Sequence, residues 1–146
     1  MHLGSTVTRD HGDCAVAAIA ATELEQLLSK IRSNWAGSAH EFAFILGRYH
    51  CREDDRLKWQ ITYSSVGNEH SVAIDLPEIA KRQMQLDCIS TLLCHTHPDG
   101  NPRPSRSDRN MTARLATLCQ WLNFPLIDHI IFAQQGVFSF RNAGLL

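Results

Sequence analysis

The chain has 146 residues, with 14 Lys+Arg against 15 Asp+Glu and a formal net charge of −1. A chain of this length supports one domain with a real core, because it buries roughly 68–70% of its unfolded surface. With 44% hydrophobic and 20% charged residues it is globular, not disordered, and it lacks the strong positive field of a general nucleic-acid binder.

Residues 1–12 are polar and read as a flexible start to a single domain over 13–146. From Asp13 to Ser33 the apolar positions Val16, Ile19, Leu24, Leu27, Leu28 and Ile31 recur at helical spacing. Gly37 marks a break. Glu41 to Tyr49 is apolar on both alternating sets, as in a strand covered on both faces. Cys51 to Arg56 is a charged turn. Leu57 to Ser65 and Ser71 to Asp75 read as two further strands joined through Gly67 and Asn68. Leu76 to Leu86 is a short helix, and Ile89 to Cys94 a buried strand that runs into His95-Thr96-His97-Pro98. Glycine and two prolines keep Asp99 to Pro104 irregular. Ser105 or Ser107 then caps a helix ending near Asn123. Leu126 to Ala133 and Val137 to Arg141 close the chain as a pair of strands. The pattern predicts an α+β, or mixed α/β, domain with helices against a curved mixed sheet.

No apolar run approaches the roughly 18 residues that a membrane span needs. The five cysteines, Cys14, Cys51, Cys88, Cys94 and Cys119, are an odd count without a CxxC pair. They read as reduced core thiols of a cytoplasmic protein. The alanines around Ala15 to Ala21 could imitate a signal-peptide cleavage region, but Asp10, Asp13, Glu23 and Glu25 frame a helix instead.

Among eight histidines, two carry chemistry. His95 and His97 are two apart on extended chain and so point to one side, where two imidazoles can converge on a metal ion. Catalytic zinc commonly takes three protein ligands and leaves a fourth position open. Asp108 is the natural third ligand, because the loop before Ser105 can return the chain and place Asp108 in the first turn of the next helix. Ser105 lies close enough to share the site. Cys94, adjacent on the strand, faces away into the core. His129, in an apolar strand, reads as a structural histidine, with Asp128 on the opposite face. His2, His11, His40, His50 and His70 read as surface. Arg103, Arg106, Arg109 and Arg114 form a basic cluster beside the motif, read as a solvated helix end or a contact for an acidic surface or phosphate.

The full segment fits H-x-H-x7-S-x2-D at every position, and it resembles the JAB/MPN, or JAMM, zinc metalloproteases. Ser65 to Ser71, HTHPDGNPRPSRSD, PLIDHIIFA and VFSFRNAGLL are similar to the RadC-like branch over roughly Ser38 to Leu146. Thr96 stands where that branch usually has asparagine and Asp99 where it has serine. RadC proteins usually carry a further helical DNA-associated region before this domain, where this sequence shows one predicted helix. The resemblance implies a cytidine-deaminase-like fold, zinc held by His95, His97 and Asp108, and a general base on an early strand. Glu41 is the match for that base, because Glu53, Glu69 and Glu78 sit in solvated contexts. The implied activity is hydrolysis of a peptide or isopeptide bond after the tail of a ubiquitin-like protein, with Ser105 helping to stabilise the oxyanion. Such a tail would lie beside an exposed strand. A prokaryotic setting, including antiphage defence, goes with that branch. The alternatives are a RadC-like accessory protein associated with DNA and a non-catalytic MPN scaffold, a class that usually lacks the ligands.

Overall fold

Alternation along the central strands feeds two separate apolar layers, and that division places the site. The computed structural model describes residues 12–146, with side chains from Glu23 onward. The predicted flexible start therefore lies outside the described residues apart from Gly12, where α1 (Gly12–Trp35) begins. The remaining elements are β1 (Phe42–Cys51), β2 (Arg56–Val66), α2 (Leu76–Gln85), β3 (Ser90–His97), α3 (Arg106–Trp121), β4 (Leu126–Ala133) and β5 (Gly136–Ser139). The strands form one sheet in the order β2-β1-β3-β4-β5. Only β3 and β4 are parallel, and α3 is the crossover between them. No described helix is long and apolar enough to cross a membrane.

Phe44 and Leu46 of β1, Leu92 and Cys94 of β3, and Trp59 of β2 pack with Ile31 of α1 on one face. Ile45 and Leu93 point the other way, where they meet Ile79 of α2 and Leu115 and Cys119 of α3. Successive strand residues face opposite sides, so Phe42–Leu46 of β1 and Leu92–Cys94 of β3 are unbroken apolar runs because both faces are covered there. Burial of this kind stabilises by roughly 25 cal/mol per Å² of apolar surface.

Two local devices shape the sheet. Thr62 is the extra residue of a bulge between Ile45↔Tyr63 and Leu46↔Ile61, and its hydroxyl donates to the Ile45 carbonyl at 3.2 Å. Gly47 lies where β1 passes under α2: a Cβ there would stand 2.4 Å from Gln83 Oε1 and 2.5 Å from Cys88 Sγ.

The predicted strand over Ser71–Asp75 does not form. Val72 and Ile74 are half-buried, as alternation requires, but the segment forms no ladder with any described strand. Its polar groups go to side chains instead: the Ala73 carbonyl accepts from Ser65 Oγ at 2.8 Å, and the Asp75 N–H donates to Tyr63 Oη at 3.1 Å. The strand predicted to stop at Cys94 continues through His97, and the last strand ends at Ser139, short of Arg141.

Candidate metal centre

Leu93 faces the α2–α3 layer, so His95 and His97 on the same strand face it as well. β1 runs antiparallel beside β3 with Ala43 opposite His95. Glu41 lies two residues before Ala43 and keeps the same side. Its backbone is fixed from both directions: its N–H donates to the Asn68 carbonyl and its carbonyl accepts from the Gly67 N–H, both at 2.8 Å. Gly67 is required here, since a Cβ would stand 1.9 Å from the Ser71 carbonyl oxygen. Thr96, on the opposite face, ties the strands together by accepting the Phe42 N–H at 3.0 Å.

The third side comes from α3. Ser105 caps this helix, and its Oγ accepts the Asp108 N–H at 3.1 Å. Asp108 Oδ2 in turn accepts the Ser105 N–H at 2.6 Å, which completes a reciprocal capping box. The loop ahead of it is pinned by its own side chains. Asp99 Oδ1 accepts the Asn101 N–H and Asn101 Oδ1 accepts the Arg103 N–H, each at 3.0 Å. Gly100 turns the chain with φ 82°, a left-handed conformation that favours glycine.

These three elements bring Glu41, His95, His97 and Asp108 together. Ligand atoms of Glu41, His95 and His97 all lie within 4.8 Å of one another. His95 Nε2 stands 3.6 Å from Glu41 Oε2 and 3.4 Å from Asp108 Oδ1, and His97 Nε2 stands 3.3 Å from Asp108 Oδ2. His95 is wholly buried, Glu41, His97 and Asp108 keep 6–7% exposure, and Ser105 is exposed, so the cluster opens toward the start of α3.

The donor set fits a zinc ion. His95 Nε2 is buried and has no hydrogen-bond partner among the described residues, although it faces two carboxylates. A cation between these groups resolves that arrangement. Ligands about 2.0–2.1 Å from a tetrahedral zinc stand about 3.3–3.4 Å from each other; Asp108 comes that near each histidine through a different oxygen, Oδ1 toward His95 and Oδ2 toward His97. His97 Nδ1 is 2.7 Å from the Asn101 carbonyl oxygen, which can only accept, so the proton is on Nδ1 and Nε2 is left as the ligand atom.

Burial acts to lower the His97 pKa, but the Asp108 carboxylate, the Asn101 carbonyl and Glu41 outweigh it and hold it above the ordinary histidine value. Burial likewise acts to raise Asp108. His97, His95 and the Ser105 N–H and hydroxyl outweigh it and keep the carboxyl far below the usual range.

Position in the sequence did not disclose His129. It is fully buried, its Nε2 lies 3.0 Å from His95 Nδ1, and its Nδ1 lies 2.7 Å from Thr112 Oγ1. It is a structural histidine in that its ring nitrogens are partnered, but one partner is a site residue. Asp128 does face elsewhere, accepting the Arg141 N–H at 2.9 Å and the Ser139 hydroxyl at 2.6 Å. The rival glutamates stay outside: Glu53 and Glu69 are exposed and Glu78 pairs with Arg82 at 2.7 Å. His40, His50 and His70 are exposed, and His2 and His11 lie outside the described residues. Cys51, Cys88, Cys94 and Cys119 are buried free thiols, and burial raises Cys88 and Cys119 to about 11, so they stay protonated. The Cys14 side chain lies outside the described residues.

A sequence profile for the RadC-like JAB domain matches residues 52–145. The chain belongs to the RadC-like JAB domain family. The matched stretch includes His95, His97, Ser105, Asp108 and His129; Glu41 precedes it. Similar relatives include a UPF0758 protein of Aquifex aeolicus, 36% identical over 62% of this chain and 38% of its own length. A UPF0758 protein of Ruegeria pomeroyi is 44% identical over 47% of this chain and 31% of its own length. One from Clostridium acetobutylicum is 34% identical over 60% of this chain and 38% of its own length. The chain thus spans about a third of the length of these relatives.

Proposed function

We propose that this RadC-like JAB domain is a zinc-dependent metallo(iso)peptidase that hydrolyses the amide bond after the C-terminal tail of a ubiquitin-like protein. The observation that carries the reading is His95 Nε2, buried, unpartnered and aimed between the carboxylates of Glu41 and Asp108. In this reading His95, His97 and Asp108 hold the ion. Bound zinc supplies a Lewis acid that lowers the pKa of water toward about 7 and polarises a carbonyl.

The chain's own groups do the rest. Glu41 Oε2, held on the rigid edge of β1, takes the proton of the attacking water and returns it to the leaving amine. Ser105 Oγ accepts the Asp108 N–H, and its hydroxyl hydrogen, which faces the Asp108 carboxylate, can turn to donate to the developing oxyanion. A groove of about 340 Å³ between the extended Ser71–Ile74 segment and α3 fits a peptide tail, and it reaches the first turn of α3 at Ser107, next to Asp108. Among the described residues the Val72 N–H and carbonyl in that segment take no backbone partner, so a tail could pair with them. A cytoplasmic setting and a role in antiphage defence belong to this same proposal.

The test is cleavage of a linear fusion whose first part is a ubiquitin-like protein, with and without a zinc chelator. Cleavage after the tail that stops with chelator and returns with zinc supports the reading; fusion left intact by zinc-loaded protein overturns it. A second reading, a DNA-associated accessory protein, draws on the exposed Arg103, Arg106, Arg109 and Arg114. It predicts duplex binding that weakens steeply with salt.

A further inference from the structure

The His129 contacts determine which nitrogen of His95 carries its proton. Thr112 Oγ1 lies 2.6 Å from the Asp108 carbonyl oxygen and 2.7 Å from His129 Nδ1. The hydroxyl has one hydrogen, and a carbonyl oxygen can only accept. The hydrogen therefore goes to Asp108, one helical turn back on α3. His129 Nδ1 must then be the protonated nitrogen, donating to Thr112 Oγ1. That leaves His129 Nε2 as a bare acceptor 3.0 Å from His95 Nδ1, so His95 carries its proton on Nδ1. His95 Nε2 is consequently a lone pair, directed at Glu41 and Asp108.

The relay is closed to water. His95 and His129 are fully buried and Thr112 keeps 2% exposure. Phe140 lies on the His129 ring, with centroids 4.5 Å apart and planes at 15°, and its N–H donates to the His129 carbonyl at 3.0 Å. Burial and the neighbouring His95 hold the His129 pKa well below the ordinary value, in keeping with a neutral ring. The relay starts at the backbone of one candidate ligand, Asp108, and ends at the side chain of another, His95.

We infer that Thr112 and His129 are positioning residues that fix His95 in the tautomer whose Nε2 is free to bind a metal ion. The inference rests on the zinc reading of the site for its purpose, but not for its geometry. Buried groups that orient a ligating histidine typically change metal affinity by 10–100-fold when removed. Thr112→Val keeps the shape and removes the hydroxyl; Thr112→Ser keeps the hydroxyl.

The experiment pairs ¹⁵N-histidine NMR of the metal-free wild-type chain with zinc dissociation constants from chelator competition. The wild-type spectrum should show both His95 and His129 protonated on Nδ1. Thr112→Val should weaken zinc binding 10–100-fold, and Thr112→Ser should stay within a few-fold of wild type. His95 protonated on Nε2, or unchanged zinc affinity in a folded Thr112→Val, overturns the inference. A wild-type chain that binds no zinc refutes the proposed function instead, and the tautomer in its spectrum still decides the relay.

Discussion

Gly67→Ala probes how the fold holds Glu41. The added Cβ would stand 1.9 Å from the Ser71 carbonyl oxygen and 2.7 Å from both Ser71 C and Val72 Cα. All three atoms are backbone, so no side-chain rotation relieves the contact and the loop has to open. Opening it breaks the Asn68 N–H bond to the Ser71 carbonyl, 3.0 Å, and disturbs the two 2.8 Å bonds that fix the Glu41 backbone. At about 1 kcal/mol net per hydrogen bond, the loss is about 3 kcal/mol, a large part of a domain stability of about 5–15 kcal/mol. Under the proposed function, displacing Glu41 as general base should lower hydrolysis by about 10²-fold or more. Gly37→Ala is the control, because its Cβ meets only Gln134 Nε2 at 3.5 Å, an ordinary contact. Urea unfolding and fusion-cleavage rates are measured on both variants. Gly67→Ala with wild-type stability and wild-type cleavage would refute the claim that this turn sets the position of Glu41.

Glu41→Gln should retain about one zinc per chain and lose hydrolysis by at least about 10²-fold, as metal analysis and cleavage rates will show. Asp108→Asn should lose zinc as well as cleavage, which separates ligand from base. In the metal-free chain, Asp108 has a folded pKa below its ordinary 3.8, so its stabilising contribution is complete above that value and is lost as pH falls below it. His97 has a folded pKa above its ordinary 6.5, so its contribution is complete below 6.5 and is lost as pH rises through the raised value. Thermal melts of the metal-free chain should therefore decline on both sides of the interval between these pKa ranges, and Asp108→Asn should flatten both limbs. Gly47→Ala should destabilise by about 1–3 kcal/mol through overpacking while cleavage per folded molecule stays unchanged, because Gln83 and Cys88 lie away from the cluster.

Local signals in the sequence reached far into the site. The two-residue spacing of His95 and His97 is a strand property, and the capping box of Ser105 and Asp108 is a helix-start property; both are set within a few residues. Glu41 needed the family resemblance, because its approach to His95 depends on how β1 pairs with β3 across a long separation in sequence. His129 was not legible as a partner of His95. Its place depends on the parallel β3–β4 register, which shifts between Thr91↔Leu126 and Leu92↔Asp128 and is joined through the whole of α3. Thr112 depends on that register too. Ser71–Asp75 was misread because alternation reports a half-buried face and not the presence of a partner strand; side chains of β2 satisfy its polar groups instead.

The zinc content of the native chain, purified at neutral pH without added metal and read by mass spectrometry beside its His97→Ala variant, is the most direct test of the candidate metal centre. One zinc per wild-type chain and none in the variant is the predicted result. A wild-type chain that is metal-free and takes up no zinc when it is supplied would contradict it.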